Sequence, residues 1–381
     1  MIGVAVLGST GSIGRQTLEI IQAHRDRFRV TGLAAGGQHP GLDEQLAAWP
    51  DARAWAPGGL RGGMDARRWA DGGLEALATA EGTDMVVVAT TGMTALPAVL
   101  AALRAGRRVA LANKETLVAG GHLVAAALEA AGGDPLDRLR PVDSEHSAIW
   151  QCLLGERIES VQRLVLTASG GPFRERPLSQ LDAVTPDQAL AHPTWQMGPK
   201  ITVDSATLVN KAFEVIEARW LYRLPYSRID AVIHPPSVVH SLVEFNDGSY
   251  KAQLGLPDMR LPIQFALSYP ERLPSPARHA APEDWGALEF LPLDEGRYPA
   301  YATVRRAAAE GGNRGAIVNA ADEVAVAVFL AGGLSFARIG DTIAQAVDRW
   351  GTDEEPSLEV IVALDAEVRS ALTAQLGTGV A

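Results

Sequence analysis

The chain has 381 residues, 47% hydrophobic and 21% charged, which is enough for two or three cores and carries no compositional mark of disorder. A formal charge of −11 excludes a protein that grips nucleic-acid backbone through clustered Lys and Arg. The single cysteine, Cys152, excludes an internal disulfide and a cysteine zinc cage.

The run 2–7 is short and apolar and leads into Gly8-Ser9-Thr10-Gly11-Ser12-Ile13-Gly14, after which Leu18, Ile20 and Ile21 recur at helical spacing. Strand, glycine turn and helix open a dinucleotide-binding unit, because glycines let the backbone approach a pyrophosphate and the helix N-terminus binds the anion. The pattern is G-x-x-G-x-x-G rather than the commoner G-x-G-x-x-G, and its place behind an N-terminal strand favours a cofactor site over a plain turn. No signal-like leader precedes it, and the most apolar stretch, 85–103, is broken by Thr90-Thr91-Gly92 and Pro97, so a cytoplasmic protein is expected. A second strand, 29–35, ends at Gly36-Gly37-Gln38-His39. It lacks the acid that bonds a ribose hydroxyl in NAD enzymes, which leans towards NADP, although only His39 there can be cationic.

Apolar runs at 84–89 and 108–112 flank a helical pattern at 94–105, which implies right-handed crossovers and a parallel sheet. The second run ends in Asn113-Lys114-Glu115, where residues face the ligand crevice of such sheets. By position alone Lys114 is either a crevice residue or an ordinary helix start. Then comes Pro141-Val142-Asp143-Ser144-Glu145-His146-Ser147. Read as extended chain, Asp143 and Glu145 point to one side about 6.5–7 Å apart and Ser144 to the other. Such a pair is either a solvated loop or part of a cation site.

After a helix holding Ile149, Trp150, Leu153 and Leu154, a strand at 160–168 ends in Ser169-Gly170-Gly171-Pro172, a plain turn or a phosphate nest. The segment 173–200 is polar, punctuated by Pro177, Pro186, Pro193 and Pro199, and has the length of a lid. It carries His192, Trp195 and Gly198. The run 201–205 leads into a helix containing Asn210, Lys211 and Glu214, with Asp204 or Ser205 as its cap. Asn210 and Glu214 share one face, and Val209, Phe213, Ile216 and Trp220 make that helix largely buried. Lys211 with Glu214 is a surface pair unless burial gives both a task. Strands at 230–236, 238–245 and 250–254, with hairpin spacing around Asn246-Asp247-Gly248, form a partly antiparallel sheet. His234 and His240 within it are expected to be structural. The proline-rich 257–299 reads as irregular, and helices at 299–310, 314–331, 335–350 and 357–376 read as a bundle without chemistry.

The fold class expected is α/β: an N-terminal Rossmann-like parallel sheet, a central α/β catalytic domain with a mixed sheet, and a C-terminal helical bundle. The divisions are 1–142 for dinucleotide binding, 143–264 for catalysis, 265–297 as a connection and 298–381 for the bundle. Asp143, Glu145 and Glu214 offer hard oxygen ligands without a Cys or His cluster, which suits Mg²⁺ or Mn²⁺ better than Zn²⁺. Ser169, Ser205, Asn210 and Lys211 are the donors a phosphate monoester needs. A dinucleotide site, a hard-metal site and a phosphate site together suggest hydride transfer to a phosphorylated, oxygen-rich substrate. Two competing readings are a metal-independent dehydrogenase, which leaves the three acids idle, and an NADP-sensing regulatory module, which needs a basic or protein-binding face that the sequence does not offer.

The motifs Gly8–Gly14, Ala112-Asn113-Lys114-Glu115, Val142-Asp143-Ser144-Glu145-His146, Ser169-Gly170-Gly171-Pro172-Phe173, His192-Pro193-x-Trp195-x-Met197-Gly198 and Asp204-Ser205-Ala206-Thr207-x-x-Asn210-Lys211-x-x-Glu214 occur in this order. Together they resemble the 1-deoxy-D-xylulose 5-phosphate reductoisomerase family over essentially the whole chain. The resemblance implies rearrangement of a straight-chain ketose phosphate to a branched aldehyde, then NADPH reduction to 2-C-methyl-D-erythritol 4-phosphate in non-mevalonate isoprenoid biosynthesis. It implies a divalent metal on Asp143, Glu145 and Glu214, with Lys114 and Ser144 at the substrate. Ser169, Ser205, Asn210 and Lys211 would hold the phosphate, and His192 and Trp195 would close over it. NADPH would lie on Thr10, Gly11, Ser12, Ile13, Gly36, Gly37, Gln38, Asn113, Glu115 and Gly198. A homodimer, with no nucleic-acid or membrane partner, is implied as well. Many members carry a basic residue and Asn after Gly36, where this chain has Gly37-Gln38.

Overall fold

The structure is a computed structural model that describes residues 1–37, 40–59, 66–192, 195 and 197–377. The chain divides into two compact units: 1–116 with 123–150 and 258–278, and 117–122 with 151–257 and 279–381.

In the first unit, β1 (Ile2–Leu7) is followed by α1 (Ser12–Ala23), β2 (Phe28–Ala34), α2 (Pro40–Ala48), β3 (Arg53–Trp55), α3 (Gly73–Ala78), β4 (Met85–Val88), α4 (Leu96–Arg104), β5 (Arg108–Leu111), α5 (Glu115–Ala131), α6 (Pro135–Arg138) and β6 (Leu139–Pro141). The six strands are parallel in the order β3-β2-β1-β4-β5-β6. A parallel sheet covered on both faces needs continuous apolar strands, and Val4, Ala5, Val6 and Leu7 are all fully buried. Val4 and Val6 share a core with Ile20 and Ile21 from α1, Leu33 from β2 and Met85 from β4. The strand order reverses between β1 and β4, so the carboxyl ends of these strands form the crevice where such sheets bind ligands.

The next helix, α7 (Ser144–Leu153), corrects the reading of Asp143-Ser144-Glu145 as extended chain. Asp143 is the residue before the first turn: its Oδ1 accepts the Ser144 N–H at 3.0 Å and its carbonyl accepts the Ser147 N–H at 2.8 Å. Glu145 lies in the first helical turn, where a carboxylate complements the exposed N–H groups. The acids therefore belong to a helix N-terminus, and alternation along a strand does not govern Ser144.

The second unit contains β7 (Val161–Ala168), α8 (Pro186–Leu190), α9 (Pro199–Thr207), α10 (Val209–Tyr222), β8 (Ile229–Ile233), β9 (Val239–Phe245) and β10 (Tyr250–Leu254). After these the chain supplies α11 (Arg260–Ser268) to the first unit and returns with β11 (Leu291–Pro292), α12 (Pro299–Glu310), α13 (Arg314–Leu330), α14 (Arg338–Trp350) and α15 (Leu358–Gly377). The sheet order is β10-β9-β7-β8-β11, parallel between β7 and β8 and antiparallel elsewhere, as expected of a mixed sheet. Val203, Phe213 and Ile216 from α9 and α10 share one core with Val304, Ile317, Phe329 and Ile343 of the helical region.

Two further expectations are corrected. Asp204 and Ser205 do not cap the Asn210 helix, because α9 already runs through them from Pro199 behind Gly198. The break falls at buried Leu208, whose φ of 58° interrupts the helical path. The segment 257–299 is not irregular throughout: α11 buries Ile263, Phe265 and Leu267, with the Phe265 ring 4.8 Å from Trp150. Its Pro262 sits in the first turn, where a missing N–H costs no helical hydrogen bond.

Candidate active site

The first unit holds a glycine turn and an acidic corner. Gly11 enters α1 in extended conformation, with no acid in the first turn, so the N-terminal N–H groups face an anion without a competing carboxylate. A Cβ on Gly14 would lie 2.3 Å from the Gly8 carbonyl oxygen and 2.5 Å from the Ser9 Cα, so only glycine lets α1 seat on this turn. Thr10, Gly11, Ser12 and Ile13 thus lie in the turn between β1 and α1 and at the first residues of α1. Gly36 and Gly37 follow β2 with open space around them, and Gln38 lies outside the described residues. Asn113 is buried and ties strand-end loops together, its Nδ2 reaching the carbonyls of Thr90 at 2.9 Å and Gly92 at 2.7 Å and the Glu115 Oε2 at 3.0 Å.

The acidic corner forms because β5 and β6 are parallel neighbours with Leu111 opposite Pro141. The residues just past their carboxyl ends therefore meet: Lys114, only 6% exposed, sets its ammonium on the Asp143 carboxylate. Beside them the Ser144 Oγ donates to the Glu145 Oε2 at 2.7 Å. Lys114, Asp143, Ser144 and Glu145 are thus one constellation.

The second unit gathers Ser169, His192 and Ser205. Ser169, Gly170 and Gly171 follow β7, the glycines at φ 84° and 67°. The Ser169 Oγ lies 3.2 Å and the Ser205 Oγ 3.1 Å from Nε2 of His192. Nδ1 of His192 accepts the Trp195 backbone N–H at 2.9 Å, which assigns the ring proton to Nε2, facing the two serines. Burial holds this imidazole below its ordinary pKa, so the neutral form is favoured. Asn210 and Lys211 meet Glu214 rather than the serines: Asn210 Nδ2 donates to Glu214 Oε1 at 2.5 Å, and the Lys211 ammonium holds the other oxygen. Lys211 and Glu214 are 3% and 1% exposed, so this is a buried pair and not a surface i,i+3 contact. Gly198 precedes α9 in extended conformation.

The donor sets fit a hard cation. Asp143, Glu145 and Glu214 present carboxylate oxygens, and two of them already take an ammonium as counter-ion, Lys114 on Asp143 and Lys211 on Glu214. His234 has both ring nitrogens engaged, by the Glu289 carbonyl at 2.6 Å and the Val239 N–H at 3.1 Å, as a structural histidine does. His240 is buried with its ring 6.5 Å from Trp195. The Cys152 thiol is pushed up to about 11 by burial and is a packing residue. Sequence reasoning missed Lys200 and Asp322, an ion pair 2.5 Å long that joins α9 to α13. No local spacing signals a contact between residues so far apart in the chain.

Family models match three stretches: 1-deoxy-D-xylulose 5-phosphate reductoisomerase over 4–55 and 64–121, its C-terminal domain over 139–222, and DXP reductoisomerase C-terminal domain over 254–371. The 1-deoxy-D-xylulose 5-phosphate reductoisomerase of Thermomicrobium roseum is 48% identical, covering 100% of this chain and 99% of that protein. That of Pelotomaculum thermopropionicum is also 48% identical, covering 97% of each. A crystal structure of DOX-P reductoisomerase in complex with NADPH, fosmidomycin and magnesium superposes with a TM-score of 0.89 at 35% identity, covering 99% of this chain and 98% of that one. The Zymomonas mobilis enzyme in complex with NADPH gives 0.85 at 37% identity over 98% and 99% of the two chains. On the combined match of sequence, motif order and fold, this chain belongs to the 1-deoxy-D-xylulose 5-phosphate reductoisomerase family.

Proposed function

We infer that the chain rearranges 1-deoxy-D-xylulose 5-phosphate and reduces the product with NADPH to 2-C-methyl-D-erythritol 4-phosphate, a step of non-mevalonate isoprenoid precursor biosynthesis. The chain is an NADPH-dependent oxidoreductase/isomerase that uses a divalent metal. The observation in the molecule that carries the reading is the cradle of Ser169, His192 and Ser205, a set of neutral donors suited to a phosphate monoester.

Asp143, Glu145 and Glu214 are assigned to the metal, Mg²⁺ or Mn²⁺, which when bound supplies Lewis acidity at the substrate's ketone and adjacent hydroxyl. Lys114, held beside Asp143, and Ser144, on Glu145, orient the substrate hydroxyls. Ser169, Ser205 and Asn210 donate to the phosphate, Lys211 supplies its counter-charge, and the neutral Nε2–H of His192 adds a donor without adding charge. Trp195 closes over the substrate and excludes water. Thr10, Gly11, Ser12 and Ile13 fix the pyrophosphate of NADPH, with Gly36, Gly37, Gln38, Asn113, Glu115 and Gly198 along the rest of the cofactor, which supplies the hydride when bound. In this assignment 1–142 binds the dinucleotide, 143–264 catalyses and dimerises, 265–297 connects and 298–381 forms the bundle. The working form is a cytoplasmic homodimer; among the described residues no helix is long and apolar enough to cross a membrane.

The test is NADPH oxidation with 1-deoxy-D-xylulose 5-phosphate, with and without Mn²⁺ after chelation. Turnover restored by the metal is expected. Turnover unchanged by stripping divalent metal would return the chain to a metal-independent dehydrogenase.

A further inference from the structure

α9 carries Ser205 of the phosphate cradle, yet its placement does not rest on packing alone. The Lys200 Nζ, on the first turn of α9, lies 2.7 Å from Asp204 Oδ2 on the same helix and 2.5 Å from Asp322 Oδ2 on α13. The same ammonium stands 5.0 Å from the centroid of the Phe213 ring on α10, the helix that presents Asn210 and Lys211. Lys200 thus meets the two helices bearing phosphate-binding side chains and one helix of the C-terminal region. Asp322 is fully buried, and a carboxylate taken wholly out of water needs such a partner.

We propose that Lys200, Asp204 and Asp322 are positioning residues for the phosphate cradle: Asp322 anchors Lys200, and through it sets α9 and Ser205 at the distance that substrate phosphate requires. This rests on the phosphate assignment made above. It gives the C-terminal bundle a share in substrate affinity through α13, beside the hydrogen bond that the Tyr298 hydroxyl donates to the Gly170 carbonyl at 3.0 Å. Two carboxylates face one ammonium, and burial raises the Asp322 carboxyl above its ordinary range. The anchor therefore depends on an oxygen acceptor at position 322 more than on a full negative charge there.

The test compares Asp322→Leu, which removes the acceptor and keeps the branching of the side chain, with Asp322→Asn, which keeps an oxygen. Asp322→Leu is expected to raise KM for 1-deoxy-D-xylulose 5-phosphate and the inhibition constant of inorganic phosphate about tenfold, with kcat and NADPH affinity within twofold. Asp322→Asn is expected to stay within threefold of the parent KM. In a Ser205→Ala background, Asp322→Leu is expected to add little to KM, because both act on one contact. The proposal is overturned if Asp322→Leu leaves KM and phosphate inhibition unchanged, if kcat falls instead, or if its effect multiplies fully with Ser205→Ala. Should Asp322→Leu fail to fold, Lys200→Met is read by the same criteria. If Ser205→Ala itself leaves KM and phosphate inhibition unchanged, the phosphate assignment fails, and with it the ground for this one. If Ser205→Ala weakens both and Asp322→Leu neither, the positioning role alone is wrong.

Discussion

Replacing Gly171 by Ala tests the cradle at its least forgiving point. Gly171 has φ 67°, and a Cβ there would sit 2.6 Å from the Ser205 carbonyl oxygen and 2.9 Å from the Ala206 Cα. Both obstacles are backbone, so no side-chain rotation relieves the clash. The left-handed conformation alone costs an L-residue about 1–2 kcal/mol. Reaching the 3.4 Å of an ordinary contact requires the turn and α9 to separate by about 0.8 Å. A shift of that size takes one serine hydroxyl out of hydrogen-bond range of a bound phosphate, and a charge-assisted bond is worth about 1.5–3 kcal/mol. The expected result is a KM for 1-deoxy-D-xylulose 5-phosphate raised roughly tenfold to a hundredfold, with NADPH affinity unchanged. Steady-state NADPH oxidation, with cofactor affinity by fluorescence titration, measures both. A KM within twofold of the parent, or an equal loss of cofactor affinity, would refute the assignment of this turn to the phosphate.

Gly14→Ala meets the Gly8 and Ser9 backbone instead, so loss of NADPH binding with retained inhibition-site affinity for inorganic phosphate, measured by calorimetry, is the expected outcome. His192 is expected to remain mostly neutral at pH 6.5, its ordinary pKa, with the proton on Nε2. Because its folded pKa is depressed, its contribution to stability is present above 6.5 and is lost as pH falls through the lower folded value. Nitrogen-15 imidazole spectra across that range check this, and half-protonation at or above 6.5 contradicts it. With its pKa near 11, Cys152 is about one part in a thousand thiolate at pH 8, so a thiol reagent is expected to label the native chain far more slowly than the unfolded one. Rapid native labelling would show that the thiol is not buried.

Much of the first unit was legible because its physics is local. A strand buried on both faces reads as an apolar run, and a turn that must pass close to phosphate reads as glycine. The cradle was legible in its parts, since Ser169 and Ser205 carry the hydroxyls and the helix around Phe213 announces its burial. What was illegible depended on geometry that spacing cannot encode. Asp143 and Glu145 look like an alternating pair until Asp143 is recognised as the residue opening α7; the Asp-Ser-Glu order ahead of Ile149 and Trp150 carried that signal. The α9–α10 break at Leu208 has no glycine or proline to mark it, because tertiary packing of a buried leucine holds the positive φ. The junction of Lys200 with Asp322 depends on how the C-terminal helices fold back, and no local pattern records it.

The assignment of three carboxylates to one cation is tested most directly by Mn²⁺ binding followed by electron paramagnetic resonance. One Mn²⁺ per chain is expected to bind the parent. Asp143→Asn and Glu214→Gln are each expected to weaken that same site by about tenfold to a hundredfold, the range seen even for groups that only support metal ligands, while NADPH still binds. Mn²⁺ binding as tight as the parent's in either variant would contradict the assignment of that carboxylate to the metal.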